Sequence, residues 1–351
     1  MENDSTEAWK KPELNKTTTD NLMWIEKYRP ETLKDLVSQD QIIQTIKKYV
    51  DLGGLPHLLF YGPPGTGKTS TILALAREIY GKSFRNMVLE LNASDDRGID
   101  VVREQIRNFA STSSVFGFGA AVSGDMSKGG NNYKMIILDE ADSMTQAAQA
   151  ALRRVIEKYT KNVRFCIICN YASKITPAIH SRCTKFRFKP LNQDQIRGRL
   201  NYIIKQESVS IDSDAVDAIL DISKGDMRRV LNILQGCYLS HETIDFDSVY
   251  SVTGQPRPSD IKLIFQSLLN DEFSVCHDYI SKVKFTYGIA LADIITNLLT
   301  PILSCSLPPS CITYLVSQLA EIEYRLANSS SDEIQLSALV GTFKIAVEKA
   351  A

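Results

Sequence analysis

The stretch Tyr61-Gly-Pro-Pro-Gly-Thr-Gly-Lys-Thr69 directly follows a short apolar run, Leu58 to Phe60. It contains the pattern G-x-x-x-x-G-K-[ST], in which a buried strand leads into a glycine-rich turn and a helix begins near Gly67. The backbone N–H groups of such a turn and the positive end of the helix face the same anion. The sequence therefore predicts a P-loop that binds the phosphates of a nucleoside triphosphate, and the correct flanks argue against a chance Gly/Pro loop.

A second motif supplies the groups that hydrolysis needs. Lys68 and Thr69 of the P-loop are expected to reach the β- and γ-phosphates and Mg²⁺, respectively. About seventy residues later, the apolar run that begins at Met135 ends in Asp139 and Glu140. Asp139 is predicted to hold Mg²⁺ through water, and Glu140 to polarise the attacking water. Alone, this second pattern is common in buried strands; combined with the P-loop it predicts ATP hydrolysis.

The composition is that of an ordinary globular chain. Its 351 residues suffice for two or three domains with their own cores. No apolar run approaches the length of a membrane span, and the N-terminus lacks a signal-peptide pattern, so no membrane partner is expected. The net charge of −1 favours no partner, but residues 134–205 hold 14 Lys/Arg against 5 Asp/Glu. That imbalance predicts a basic surface.

The seven cysteines show no paired disulfide spacing, which suits a reducing compartment. Cys166 and Cys169 have CxxC spacing, but they lie in an apolar run, Val163 to Cys169, that predicts a buried strand. Residues three apart on a strand face opposite sides, so the two sulfurs are not expected to share a metal. We therefore interpret them as core residues.

The chain divides by pattern. Residues 1–20 are polar without periodicity and predict a disordered tail. Between about Asn21 and Tyr171, strand-like and helix-like segments alternate, which predicts a mostly parallel sheet covered on both faces, in a domain spanning 21–190. The predicted strands are His57–Tyr61, Met87–Asn92, Lys134–Asp139, Arg164–Asn170 and Lys185–Lys189, and the predicted helices are Gly67–Tyr80, Gly98–Ala110 and Gln146–Lys158.

Beyond Leu191 the pattern becomes helical. The segments Gln193–Gln206, Ser213–Ile222 and Asp226–Ser240 predict a small helical domain over 191–253. The segment Thr253–Asp260, with two prolines and a glycine, predicts a hinge-like linker before a helical C-terminal domain over 254–351. Residues 111–132, rich in Gly, Ser and Ala, predict a flexible surface insert within the first domain, and the alternative is a segment with a specific contact role.

Three further polar residues have two interpretations each. Asn170 ends a predicted strand, where it can orient the attacking water or simply cap the strand. Arg182, in Ser181-Arg-Cys183, and Arg228, in Gly225-Asp-Met-Arg228, are surface charges by default. Asp226 is expected to cap the helix that carries Arg228. The residues alone leave these roles open.

The order of these motifs is that of a known family. Trp24-Ile-Glu-Lys-Tyr-Arg-Pro30, the P-loop, Asp139-Glu-Ala-Asp142, Asn170, Ser181-Arg-Cys183, Gly225-Asp-Met-Arg228 and Gly254-Gln-Pro-Arg-Pro258 occur as in the small subunits of AAA+ clamp loaders. From about Asn21 to its end, the chain resembles replication factor C small subunits. The segment Leu89–Asp100 is most similar to the fungal subunit 3 type. The resemblance implies an α/β AAA+ ATPase core, a helical lid and an all-α collar.

The resemblance also implies roles for individual residues. Ile25, Arg29 and Val37 should border the adenine. The phosphates should be wrapped by Gly62, Pro63, Pro64, Gly65, Thr66, Gly67, Lys68, Thr69 and Ser70. Asn170 becomes the residue called sensor 1, and Arg228 becomes sensor 2, which closes the lid onto the nucleotide. Arg182 becomes an arginine finger that acts on the ATP of a neighbouring subunit, a contribution of about 10³–10⁵ in rate.

The family assembles as a heteropentamer that opens the PCNA sliding clamp and loads it onto primer–template DNA in the nucleus. By resemblance, Arg97, Arg103 and Lys174 should contact DNA phosphates, and such contacts should weaken with salt. The insert at 111–132 departs from the family pattern, being longer than the usual connection. ATP and Mg²⁺ are the implied cofactors.

Two other functions agree with parts of the sequence. Asp139-Glu-Ala-Asp142 spells the motif of a DEAD-box helicase, but such an enzyme needs a second RecA-like domain after Leu191, where the pattern is helical. The other rival is a scaffold subunit that binds ATP and donates Arg182 without turning ATP over itself. Intact Lys68, Asp139 and Glu140 weigh against it.

Overall fold

The computed structural model of the chain describes residues 22–33, 35–36, 39–93, 99–111, 133–305, 307–328 and 331–350. Several predictions fall elsewhere: the tail at 1–20, most of the insert (112–132), Val37 and Arg97 lie outside the described residues, as does the side chain of Arg103.

A five-stranded parallel sheet forms the centre of the first part of the chain. Its strands follow the spatial order β2-β3-β4-β1-β5, and every neighbouring pair is parallel. The strands are β1 (Leu58–Tyr61), β2 (Val88–Asn92), β3 (Lys134–Asp139), β4 (Val163–Cys169) and β5 (Thr184–Arg187). The predicted parallel sheet is confirmed.

Helices precede and connect these strands. They are α1 (Trp24–Lys27), α2 (Asp40–Asp51), α3 (Lys68–Tyr80), α4 (Phe84–Met87), α5 (Ile99–Ser111), α6 (Gln146–Tyr159) and α7 (Pro177–His180). Helix α2 is not among the predicted helices, although Ile43, Ile46 and Val50 have the spacing of one helical face. Ile43 and Ile46 are buried on the sheet side of that helix.

Both faces of the sheet are covered, as the continuous apolar runs of its strands require. On β4, Cys166 and Ile168 pack with α2 and α3 on one face, while Phe165, Ile167 and Cys169 pack with α5 and α6 on the other. The two cysteines of the CxxC pattern therefore lie on opposite faces. Burial raises the pKa of both thiols. All seven cysteines are free, and no cluster of metal-ligating side chains occurs among the described residues.

After the sheet the described chain is helical. The helices are α8 (Gln193–Gln206), α9 (Ser213–Ser223), α10 (Met227–Ser240), α11 (Phe246–Thr253), α12 (Pro258–Asn270), α13 (Phe273–Tyr287), α14 (Leu291–Ser304), α15 (Pro309–Ala327) and α16 (Asp332–Ala350). No second parallel sheet follows within this described part, so the helicase architecture is excluded. The predicted linker is shorter than expected, because Pro258 is the first residue of α12 and proline is well tolerated there.

The chain forms two compact units. The first contains the described residues up to Val209 together with Ile219–Gln235, and the second contains Ser210–Ala218 and the described residues from Gly236 onward. In the second unit, α12 to α16 share one apolar core, with Ile264, Leu298 and Phe343 fully buried. This helical end agrees with the predicted all-α collar.

Within the described residues, no helix taken singly has the length and apolar character needed to cross a membrane. Among the described helices, α13 and α14 meet that test by length and composition when taken together, and they are bent by 118° at their junction.

Candidate nucleotide site

The strand order brings the predicted chemical groups to one edge of the sheet. Strand β4 lies between β1 and β3, and all three run parallel, so their carboxyl ends are neighbours. The P-loop follows β1, Asn170 follows β4, and Asp139 ends β3. Ligands of open parallel sheets bind at this edge, in the crevice beyond the strand ends.

The shape of the P-loop depends on its glycines. Gly65 has φ +66°, and a Cβ there would lie 1.6 Å from Asp226 Oδ1. Gly62 has φ +147°, and its Cβ would lie 2.2 Å from the Phe188 carbonyl oxygen. Gly67, with φ +86°, precedes the first residue of α3. A side chain at Gly62 or Gly65 would push the loop away from the chain that supports it.

Lys68 is buried in the cleft and fully hydrogen bonded. Its Nζ donates to the carbonyl oxygens of Gly62 and Pro63, each at 2.8 Å, and to Asn170 Oδ1 at 2.9 Å. An ammonium has three donors, so these three acceptors use them all. Burial lowers the pKa of Lys68, and the nearby Asp139 carboxylate opposes that shift. The P-loop and the end of β4 are thus joined through one cation.

Thr69 and Asp139 form a second contact across the sheet edge. The Thr69 hydroxyl donates to Asp139 Oδ2 at 2.6 Å. The other carboxylate oxygen, Oδ1, accepts from the Glu140 backbone N–H at 2.9 Å. A hydroxyl and a carboxylate oxygen this close together are hard oxygen donors of the kind that Mg²⁺ prefers. The residues present therefore fit the predicted metal ion.

Glu140 has an unusual backbone. Its φ of 52° and ψ of 37° place it in the left-handed region, which costs free energy for a residue with a Cβ. Such strained residues cluster at functional sites. The Ser143 hydroxyl donates to the Glu140 carbonyl oxygen at 2.8 Å, and the residue as a whole is exposed at the lining of the cleft.

The start of α10 closes another side of the cleft. Asp226 caps this helix, because its Oδ1 accepts from the backbone N–H groups of Arg228 at 2.8 Å and Arg229 at 3.2 Å. The Met227 N–H in turn donates to the Gly65 carbonyl oxygen at 3.3 Å. Arg228 lies among the lining residues. The cap predicted at Asp226 is present, and it sets the P-loop against the helix that carries Arg228.

The remaining lining includes the predicted adenine residues and several that the sequence analysis missed. Ile25, Arg29, Pro64, Thr66 and Ser70 border the cleft. Gly62 and Pro63 contribute their carbonyl groups to Lys68 instead. The residues missed were Glu26, Tyr28, Pro30, Leu36, Thr71, Ile168, Cys169, Leu191, Arg199, Met227 and Leu231. Most of them lie within or beside the predicted motifs, as Tyr28 and Met227 do, whereas Leu191 and Arg199 lie apart from the motifs and reach the cleft only through tertiary structure.

Arg182 does not line this cleft. Its Nη2 donates to Glu157 Oε1 of α6 at 2.5 Å, and its Nη1 donates to the Ala178 carbonyl oxygen at 2.5 Å and to the Ser181 hydroxyl at 3.1 Å. Glu157 also accepts from Arg153 at 3.2 Å. Hydrogen bonds from these two guanidinium groups, Arg153 and Arg182, lower the pKa of the Glu157 carboxyl.

Three family models match consecutive parts of the chain. Residues 58–191 match the ATPase family associated with various cellular activities (AAA), and residues 193–251 match the RFC1-like, AAA+ ATPase lid domain. Residues 256–342 match the replication factor C C-terminal domain.

Curated relatives match over nearly the whole length. The chain is 52% identical over 330 residues to replication factor C subunit 3 of Schizosaccharomyces pombe, covering 94% of this chain and 93% of that one. It is 50% identical to subunit 3 of Saccharomyces cerevisiae, covering 95% and 96%, and 48% identical to human subunit 5, covering 93% and 92%. The chain belongs to the replication factor C family. It is a small subunit of the subunit 3/5 type.

This replication factor C subunit is an AAA+ ATP hydrolase and a clamp-loader component. Its AAA domain implies nucleotide binding. The family's three parts agree with the sheet, the helices that follow it and the helical end described above.

Of the predicted DNA contacts in this replication factor C subunit, the side chain of Lys174 alone is described. It is exposed in a short turn, Ala172–Lys174, just after Asn170. Its Nζ lies 5.4 Å from the centroid of the Tyr171 ring, which is 63% exposed. The buried amide of Gln149 fixes this turn, donating to the Lys174 carbonyl oxygen at 3.0 Å and accepting from the Thr176 N–H at 2.8 Å.

Proposed function

We propose that this subunit works in a five-subunit clamp loader that opens the PCNA sliding clamp and loads it onto primer–template DNA in the nucleus. Hydrolysis of ATP at this subunit would trigger release of the closed clamp. One observation carries the proposal: the residues that would hold ATP converge in a cleft of this chain, whereas Arg182 lies outside it. Since the proposed arginine finger, Arg182, lies outside this chain's own nucleotide cleft, it is suited to act on ATP bound by a neighbouring subunit.

Binding of ATP would begin with an exchange of partners at Lys68. All three of its donors are used by Gly62, Pro63 and Asn170, so a phosphate oxygen must replace at least one of these acceptors. Release of Asn170 would free its amide to meet the γ-phosphate or the attacking water. The positive end of α3 and the Arg228 guanidinium would neutralise the remaining phosphate charge.

Mg²⁺ would be held at Thr69 and Asp139, the pair of oxygen donors that are 2.6 Å apart. When bound, the ion supplies positive charge to the β- and γ-phosphates. Glu140, beside Asp139 and exposed to the cleft, would accept a proton from the attacking water.

The position of Arg182 outside the cleft supports the proposed trans role. Its guanidinium is anchored to Glu157, Ala178 and Ser181 at the surface, where a neighbouring subunit's ATP could reach it. DNA would lie along exposed basic residues such as Lys174, with contacts to phosphates that carry no sequence information. Exposed basic residues between 134 and 205, such as Lys158, Lys161 and Lys185, would add positive charge, whereas Lys134 is buried.

Clamp loading with a Glu140→Gln subunit tests this proposal. In a reconstituted five-subunit complex, fluorescent PCNA should still open and bind primer–template DNA, because the variant keeps the ATP-binding groups. Release of the closed clamp should slow by about a hundredfold or more, the scale for loss of a general base. The matched control is Asp194→Asn, an exposed carboxylate on α8.

Release at the wild-type rate from the Glu140→Gln complex would mean that hydrolysis here does not time release. Failure of the wild-type chain to assemble with the other subunits, or a complex that never opens PCNA, would overturn the proposal as a whole.

A further inference from the structure

The segment that borders the predicted adenine pocket is held by the lid helices. Ile25 and Arg29 line the cleft, and the residues beside them, Lys27 and Tyr28, bond to α8 and the residue that follows it. None of these contacts belongs to the P-loop chemistry described above. The base-binding side of the site thus has a support of its own.

Tyr28 is held on two sides, by Arg199 of α8 and by Glu207, the residue that follows α8. Glu207 Oε1 accepts from the Tyr28 hydroxyl at 2.5 Å, and Arg199 Nη2 donates to the Tyr28 carbonyl oxygen at 3.3 Å. The same Glu207 oxygen accepts from Lys27 Nζ at 2.7 Å. Arg199 itself packs over the Tyr202 ring, with 5.1 Å between its guanidinium carbon and the ring centroid. We call Lys27, Tyr28, Arg199 and Glu207 the clasp.

The clasp is shielded enough from water to be strong. The side chains of Glu207 and Lys27 are only 17% and 25% exposed, and charge-assisted hydrogen bonds in such surroundings are about twice as strong as neutral ones. Burial, and then the bond to Glu207, raise the pKa of the Tyr28 hydroxyl. The phenol therefore stays protonated near neutral pH and continues to donate.

A third contact joins the same segment to α10. The Trp24 backbone N–H donates to Gln235 Oε1 at 3.1 Å, and α10 begins beside the P-loop and carries Arg228. The segment around Ile25 is therefore attached to both lid helices that face the cleft. A base that packs against Ile25 and Arg29 would meet a wall whose position is set by α8 and α10.

We infer that Glu207 is a positioning residue for the base-binding segment, which Arg199 holds from the lining of the cleft, so that binding of the adenine moiety, unlike binding of the phosphates, depends on the clasp. This inference rests on the proposed adenine pocket at Ile25 and Arg29. It assigns the affinity for the base to the contact between Tyr28 and Glu207, and the affinity for phosphate to the P-loop.

Competition binding with two ligands tests the inference. The complex is reconstituted so that this chain carries its only intact P-loop, and ATP and tripolyphosphate, both with Mg²⁺, displace a fluorescent ATP analogue. Glu207→Gln and Tyr28→Phe should each lower the affinity for ATP by about tenfold, the scale of one charge-assisted hydrogen bond. Tripolyphosphate affinity should stay within about twofold of wild type, since it has no base to position.

Additivity gives a second readout. If the two variants break one contact, the double variant should bind ATP no more weakly than either single variant, whereas independent effects would add. Asp194→Asn, at the other end of α8, is the matched control and should leave both affinities unchanged.

Wild-type ATP affinity in both variants would overturn the inference, as would an equal loss for the two ligands, because general loosening of the fold affects both. The proposed function fails separately: it is contradicted if Lys68→Ala binds ATP as tightly as wild type. Loss of ATP binding in Lys68→Ala, with no effect of Glu207→Gln or Tyr28→Phe, would leave that function standing without the clasp.

Discussion

Lys68 and Arg182 are two basic side chains of the proposed chemistry, and their surroundings differ. Lys68 is 7% exposed, and each of its donors is bonded within the cleft. The Arg182 side chain is 31% exposed, and its acidic partner, Glu157, is a surface residue that it shares with Arg153. A cation that serves its own site is organised by the loop that binds the phosphates. One that serves another subunit must remain where that subunit can reach it.

The largest effect is expected from Arg182→Ala, the change that breaks this comparison most directly. Single-turnover hydrolysis in reconstituted complexes, each with one functional P-loop, should fall about 10³-fold at one neighbouring site, since an arginine finger contributes at least that much. ATP binding at this chain's own P-loop should be unchanged. Arg154→Ala, an exposed arginine of α6, is the control.

A loss of hydrolysis only at this chain's own site would make Arg182 a residue of that site, contrary to its position outside the cleft. Unchanged hydrolysis at every site would remove its proposed role.

The next largest effect is expected from Lys68→Ala. It deletes a buried cation that joins the P-loop to Asn170, so ATP affinity of this chain should fall by about a hundredfold, the scale of one or two charge-assisted hydrogen bonds. Binding of a fluorescent ATP analogue measures it. Lys48→Ala removes an exposed lysine of α2 and should have no effect. If Lys68→Ala and Lys48→Ala bound ATP with equal affinity, the hydrogen bonds that Lys68 makes within the chain would not identify it as the lysine that binds ATP.

His57 adds a third basic side chain to the comparison of Lys68 with Arg182, one that is buried and uncharged. Burial, and then the charge of Arg164, lower the pKa of His57 from 6.5 to about 4. Its Nδ1 accepts from the Phe165 N–H at 3.1 Å, a bond that protonation there would break. Between pH 6.5 and pH 4 the unfolded chain binds the proton more tightly. The free energy of unfolding should therefore fall by about 3 kcal/mol as the pH drops through that window.

Urea unfolding across that range, compared with His57→Gln, isolates this contribution from the titrating carboxylates. The variant should lose less stability than wild type between pH 6.5 and pH 4. Parallel pH profiles for the two proteins would mean that His57 is not held neutral.

The smallest effect tests how the P-loop is set against α10. Gly65→Ala would place a Cβ 1.6 Å from Asp226 Oδ1, displacing the carboxylate that caps the helix of Arg228. Gly53 has nearly the same φ, +67° against +66°, with nothing within 4 Å of its Cβ position. Gly65→Ala should therefore destabilise the chain by about 1 kcal/mol more than Gly53→Ala, the usual cost of a lost cap. Thermal unfolding measures the difference. Equal losses of stability in the two variants would count against a clash between a Cβ at position 65 and the Asp226 carboxylate.

Local patterns carried much of the prediction. The P-loop, the strands and α8 follow from short-range signals: apolar runs, glycine spacing and helical periodicity. The sequence bounds of α8, Gln193–Gln206, agree with the structure. The linker was predicted too long because Pro258, which can stop a helix, also begins one well.

By itself the sequence determined the phosphate-binding loop, the carboxylates of Asp139 and Glu140, and the change from alternating strands and helices to helices alone, because each is written in neighbouring residues. Tertiary structure alone decided the strand order that brings Asn170 to Lys68, the anchoring of Arg182 by Glu157, and the clasp around Tyr28. These contacts join residues 25 to 180 positions apart. Side chains that meet across such distances do so because of how the elements pack, and no local pattern encodes that meeting.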